Sequence, residues 1–415
     1  MQREEIRAAG RLAGGAVGGF AGLIGDFHKA VAQRTFDRVG LLGAPVRLIH
    51  DGVSGAAYRS VSRALQSTAG AGAGVVAGAV PENAASAASS PLGSMALGAL
   101  NGAVGDLLVR EKSELALEMR LRRRGRVVET SPEGIRAAYP RPSGKLAVFV
   151  HGLCGTDECW HVFPLTTQPG PRPTYGRRLR QELGYAPLYV RYNTGLHISD
   201  NGRALSSLLE EAVQSWPVPV DEVILIGHSM GGLVSRSACH YGHADGARWA
   251  DALRHVFCLG SPHLGAPLEK AANVASHAIT RVPELAPMAK VVNGRSVGIK
   301  DLRFGSCVEE DWCDCDPDEF LRDRCNEVPF LDCATYYFIG ATLTRSETDP
   351  IGSVVGDLLV RFGSASGKGR HRRIPFELEN GRHLGGLNHF DLINNPDVYE
   401  QMRAWLTRAP ELEPA

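Results

Sequence analysis

Four branched apolar residues run into a glycine-flanked serine at Val223-Ile224-Leu225-Ile226-Gly227-His228-Ser229-Met230-Gly231-Gly232. A buried strand must therefore end in a turn so tight that only glycine fits on either side of the serine. Leu233-Val234-Ser235-Arg236-Ser237-Ala238 then reads as a helix. Strand, Gly-x-Ser-x-Gly and helix in that order put a serine hydroxyl at the tip of a nucleophile elbow.

A serine hydroxyl is a weak nucleophile at neutral pH. It needs a histidine base, a carboxylate to orient that base, and donors for a developing oxyanion. With this elbow the chain order is serine, acid, histidine. His389 lies in Gly385-Gly386-Leu387-Asn388-His389-Phe390-Asp391, a glycine-rich loop before a helix, and is the base expected. His383, just after an expected strand, and His371, among basic residues, are its rivals.

Asp357, in Val355-Gly356-Asp357-Leu358-Leu359-Val360, is the acid expected. It follows the strand-like 336–341 and precedes the strand-like 374–378. Asp349 and Asp391 are alternatives, Asp391 being better placed to cap a helix. Val-Gly-Asp-Leu-Leu-Val-Arg also occurs at 104–110, where chain order excludes Asp106.

The strand Leu146–Val150 leads into His151-Gly152-Leu153, so the backbone N–H groups of Leu153 and Met230 are expected to form the oxyanion hole. His151 orients that loop. His151, Gly152, Asn193, His197 and His228 make up the expected substrate-binding set. Asn193 and His197 follow a strand, where sites form at the carboxyl edge of an open sheet.

Val-His-Gly-Leu, Gly-His-Ser-Met-Gly-Gly, Gly-Ser-Pro-His-Leu-Gly-Ala-Pro (260–267), Gly-Asp-Leu-Leu-Val and Leu-Asn-His-Phe-Asp-Leu together resemble the α/β-hydrolase lipases and esterases. The pattern is most similar to bacterial triacylglycerol-lipase-like proteins akin to the hydrolase domain of GPI inositol-deacylases, over about residues 140–405. The resemblance implies a serine carboxylester hydrolase with Ser229, Asp357 and His389 as triad, an ester or lipid substrate and no cofactor or metal. It also implies a structural role for His263. Two departures stand out: no glycine directly follows Asp357, and the Cys-rich stretch 307–333 has no counterpart. An acyltransferase using the same triad is one alternative. A non-catalytic, membrane-associated interaction protein is the other.

Strands alternating with helices from about residue 140 predict an α/β fold: a mainly parallel, twisted sheet with helices on both faces. Ser199-Asp200-Asn201 offers caps for a helix whose buried face is Leu205, Leu208, Leu209, Ala212, Val213 and Trp216. Residues 1–130 form a Gly/Ala-rich helical region, and 131–415 the hydrolase domain with a lid or cap insertion at about 268–333. Phe20, Ile24, Phe27 and Val31 trace a helical stripe; 271–282 reads as a cap helix, and Glu111–Arg124 as a charged helix with a basic end.

Lys+Arg and Asp+Glu are 45 each, so nothing in the balance of charge points to nucleic acid. The first residues carry both signs of charge and no secretory pattern, which predicts a cytoplasmic protein. The N-terminal helices could add peripheral membrane contact or pack on a second copy of the chain. Five of the nine cysteines, Cys307, Cys313, Cys315, Cys325 and Cys333, share one acidic segment. Their spacing is poor for zinc; free thiols, or a disulfide-tied lid in an oxidising compartment, are the expected states.

Overall fold

The computed structural model describes residues 1–16, 70–81, 86–161, 173–280, 292–346, 356–369 and 372–408, with positions 59, 63, 67 and 289. The expected stripe from Phe20 to Val31, the rivals His371 and Asp349, and residues 281–288 of the excursion lie outside them.

The chain divides into two units. The smaller comprises 1–93, 107–116 and 271–295. Within it residues 3–16 and 70–78 are helical. Glu5 accepts from the Gln2 N–H and the Ser86 hydroxyl, and the Arg3 guanidinium donates to the Val80 carbonyl.

The larger unit is built on eight strands: β1 (Arg120–Arg123), β2 (Arg126–Val128), β3 (Lys145–Val150), β4 (Ala186–Arg191), β5 (Glu222–His228), β6 (Leu253–Leu259), β7 (Thr335–Thr342) and β8 (Gly381–Gly385). Their order across the sheet is β2-β1-β4-β3-β5-β6-β7-β8. Strands β3 to β8 are parallel, and β1 runs antiparallel to β2 and β4. This is the α/β-hydrolase arrangement expected.

Side chains alternate across a strand, so each strand feeds two cores. Leu146, Val148, Val150, Val223 and Leu225 pack with Leu205 and Leu209 of helix α3 (Ile198–Gln214) and with Leu233 and Val234 of α4 (Met230–Ala244). Ala147, Phe149, Ile224, Ile226, Phe257 and Leu259 pack with Leu179 of α2 (Tyr175–Leu183) and with Val398, Tyr399 and Met402 of α6 (Pro396–Leu406). Apolar residues at consecutive positions are what a sheet covered on both faces requires.

Four sequence expectations are corrected. The charged helix over Glu111–Arg124 is absent: helix α1 (Pro91–Arg110) ends where that one was to begin. Arg120–Val128 is instead a hairpin on β4, so the sheet starts about ten residues before the expected boundary at 131. Residues 374–378 are not a strand. Pro375 has no N–H to donate to a ladder, and the last strand is β8, which carries His383. The cap of α3 is also not Ser199, Asp200 or Asn201. His197 stands at the N-cap without a side-chain bond, and Asp301 Oδ2 accepts the Ile198 N–H at 2.8 Å.

Helix α5 (Pro267–Thr280) opens the expected lid excursion. All nine cysteines are free thiols, and no group of three or more metal-ligating side chains occurs among the described residues. Burial pushes the Cys325 thiol up to about 12. Helix α1 is long and apolar enough to cross a membrane by length and composition, with 39% of its apolar window buried.

Candidate active site

Six parallel strands end at one edge of the sheet, and the loops leaving them carry the residues of interest. Ser229 follows β5 and is the N-cap of α4. Its φ of 56° and ψ of −124° are a strained geometry for a residue with a Cβ, costing about 1–3 kcal/mol. The turn is held by the Ser229 N–H, which donates to the Leu259 carbonyl at 2.8 Å. Helix α4 can come this close to β3 only because Gly231 lacks a side chain: a Cβ there would lie 2.2 Å from the Val150 carbonyl oxygen. Ser229 itself is half-buried.

His389 and Asp357 converge from the loops after β8 and β7. His389 Nδ1 lies 2.8 Å from Asp357 Oδ2, and both side chains are buried. The His389 N–H donates to the Asp357 carbonyl at 3.0 Å, locking the two loops together. The other carboxylate oxygen, Oδ1, accepts the amides of Leu359 at 3.0 Å and Val360 at 2.8 Å. A carboxylate only accepts, so Nδ1–H is the donor of this bond, the tautomer in which Nε2 can serve as the base. His389 Nε2 is buried and has no hydrogen-bond partner among the described residues. The ring rests on Gly260: a Cβ there would sit 3.2 Å from His389 Cε1, and Gly260 has φ of 61°. Gly260 is bonded in sequence to Leu259, the residue that holds Ser229.

Gly152 adjoins the serine: the position of a Cβ on it is 2.9 Å from Ser229 Cβ and 3.3 Å from His228 Nδ1. Leu153 follows, half-buried. Met230 is the first residue of α4, where backbone N–H groups have no acceptor within the helix and the macrodipole favours negative charge.

The remaining expected substrate contacts have partners within the protein. His151 is fully buried; its ring stacks on Tyr192 at 4.3 Å, and Tyr192 donates its hydroxyl to the His151 carbonyl at 2.7 Å. Burial lowers its pKa to about 4. Asn193 is buried and binds the Gly105 carbonyl and the Gly195 N–H. His197 pairs with Asp301 through Nδ1 at 3.0 Å and lies flat on Trp312, ring centroids 3.7 Å apart. The two side chains fix the loop after β4.

His228 is buried too. Its Nε2 lies 3.0 Å from the His389 carbonyl and the two rings are 4.7 Å apart. Burial lowers its pKa to about 3, so it is a neutral donor. His383 bonds Thr342 from within β8, and Asp391 closes a capping box with Asn388. His263 is buried against Arg236, 3.2 Å away, with its pKa driven well below the usual value by burial and by Arg236 and Arg372.

The sequence did not reveal Gly260 or Asp301. Gly260 shows as the glycine that ends a strand-like run and opens the 260–267 motif, with nothing to link it to His389, and Asp301 has no local signal.

Residues 141–316 match the family model of the PGAP1-like alpha/beta domain. No curated protein matches the chain. Among solved structures, the mature form of the lipase BlEst2 from Bacillus licheniformis is 20% identical, with 65% of this chain and 95% of that one covered and a TM-score of 0.42. The lipase-esterase related protein from Clostridium acetobutylicum is 14% identical over 63% of this chain and 94% of its own, with a TM-score of 0.32. EstA from Clostridium botulinum is 12% identical over 64% and 88%, with a TM-score of 0.38.

Proposed function

We propose that this chain, whose residues 141–316 match a PGAP1-like alpha/beta domain, is a serine carboxylester hydrolase working through an acyl-enzyme. The observation that supports this reading is the 2.8 Å contact between His389 Nδ1 and Asp357 Oδ2, made by the loops after β8 and β7 at the same sheet edge as the strained turn of Ser229.

His389 Nε2 takes the proton of Ser229 Oγ as that oxygen attacks the ester carbonyl. The tetrahedral oxyanion is held by the N–H groups of Leu153 and Met230. The imidazolium, stabilised by Asp357, then gives its proton to the leaving alcohol oxygen as the C–O bond breaks. Water, deprotonated by the same nitrogen, attacks the acyl-enzyme and releases the acid and Ser229. Each oxyanion donor is worth about 100- to 1000-fold in rate.

Ser229→Ala and His389→Ala are expected to lose several orders of magnitude in turnover of a p-nitrophenyl ester, and a fluorophosphonate probe is expected to label wild type at Ser229. Wild-type turnover by Ser229→Ala overturns the proposal.

A further inference from the structure

The two residues that directly follow the acid and the base are large, apolar and exposed. Leu358, after Asp357, is 61% exposed, and Phe390, after His389, is 65% exposed. Most large apolar side chains of this unit are in its two cores. These two begin at one backbone junction, because the His389 N–H is bonded to the Asp357 carbonyl. The Phe390 ring stands edge-on to His389 with centroids 5.7 Å apart, and 6.5 Å from the ring of His228.

Leu358 is held in the left-handed region, at φ of 88°. The cause is visible: the chain wraps the Asp357 carboxylate so that Leu359 and Val360 can donate to it, and the Asp357 N–H returns to the Val360 carbonyl. Glycine suits this position at no steric cost. A leucine there is strained and leaves its side chain in water, so neither local geometry nor burial accounts for it. Strain of this kind next to reacting groups points to use of the side chain.

We infer that Leu358 and Phe390 form an apolar lip for the alcohol portion of the substrate, so that the site selects esters of long-chain or otherwise bulky apolar alcohols. This rests on the hydrolase reading above. His389 must protonate the leaving alcohol oxygen, so that oxygen lies within hydrogen-bond reach of Nε2 and its alkyl group leaves past the rim that borders the imidazole. The oxyanion donors come from other loops, after β3 and β5. The lip therefore borders the leaving group, not the acyl chain.

The test compares two series at concentrations below micelle formation: ethyl, butyl and octyl butyrate, which vary the alcohol, and ethyl butyrate, hexanoate and decanoate, which vary the acid. For wild type kcat/KM is expected to rise along the alcohol series. In Phe390→Ala and Leu358→Ala the octyl-to-ethyl ratio is expected to fall roughly fivefold to tenfold, the effect of losing one large apolar contact. The acid series should keep its slope. Leu358→Met should retain the ratio. Leu358→Gly should lose it yet melt above Leu358→Ala, since glycine removes the strain. A flat wild-type alcohol series, or an unchanged ratio in Phe390→Ala, overturns the inference, as does a fall confined to the acid series. Fluorophosphonate labelling of Ser229 separates the two levels: labelled protein with a flat alcohol series sinks the lip alone, and unlabelled protein without ester turnover sinks both.

Discussion

The His228 Nε2–H donates to the main-chain carbonyl of His389 at 3.0 Å. The residue before the nucleophile thus grips the backbone of the base. Because Nε2 carries the proton, His228 Nδ1 is left as an acceptor near Gly152. One neutral, buried ring therefore ties the end of β5 to the loop after β8 through the backbone of His389.

Replacing that ring by leucine removes the donor. His228→Leu is expected to lower kcat about 100-fold with little change in KM, the cost of a base displaced by around 1 Å. His228→Gln, which restores an N–H, should recover part of the loss. The pH profile of kcat/KM should move in His228→Leu, since His389 has a new environment. An unchanged kcat in the leucine variant rejects the role.

Stability should depend on pH through the buried histidines. The pKa values of His228, about 3, and His151, about 4, lie below the ordinary histidine value, and that of His263 is shifted the same way. The unfolded chain takes up these protons near pH 6.5, and the folded chain does not. Stability is then whole above pH 6.5 and falls as the pH drops from there toward 4, by about 1.4 kcal/mol per pH unit for each such histidine. Urea unfolding at pH 7.5, 6, 5 and 4.5 measures the slope; a flat profile contradicts the burial.

Gly260→Ala meets two obstacles. Its φ of 61° disfavours any side chain, and the new Cβ would press on Leu392 Cδ1 at 2.8 Å and on the His389 ring at 3.2 Å. A loss of about 1–2 kcal/mol in stability is expected from the backbone alone. The larger effect should be at least a tenfold fall in kcat as the imidazole is pushed aside. Equilibrium unfolding and steady-state kinetics on the same variant separate the two.

Asp157 lies between two buried guanidinium groups. Arg191 Nε donates to it, and Arg122 is 3.9 Å away. Asp157→Asn would take the nearest carboxylate charge from both buried cations, with Glu158 still 3.7 Å from Arg191, and is expected to cost at most about 3–5 kcal/mol. Denaturant titration reads this directly, and a loss below 1 kcal/mol would show the pair to be reached by water.

Much of the site is legible along the chain. The run from Val223 to Gly232 specifies its own strand, turn and helix, because branched apolar residues, two glycines and a helix-forming segment each act over a few positions. Chain order after such an elbow selects Asp357 and His389 as candidates, and the structure brings their side chains into contact. Consecutive apolar residues in β3, β5 and β6 declare strands covered on both faces.

Other features have no local signal. Arg120–Val128 is rich in arginine, suits a helix as well as a strand, and becomes a hairpin because β4 offers an open edge. Gly381–Gly385 has little strand propensity and is a strand because β7 lies beside it. His151, Asn193, His197 and His228 look like ligand contacts in a string of letters. Partners 41 to 161 residues distant, Tyr192, Gly105, Asp301 and His389, hold them in place. The sequence by itself determined the elements whose stability comes from neighbours a few residues away. Which polar side chain faces solvent, which one spends its hydrogen bonds on the backbone, and which strand pairs with which edge were decided only when the tertiary structure chose the distant groups that surround each of them.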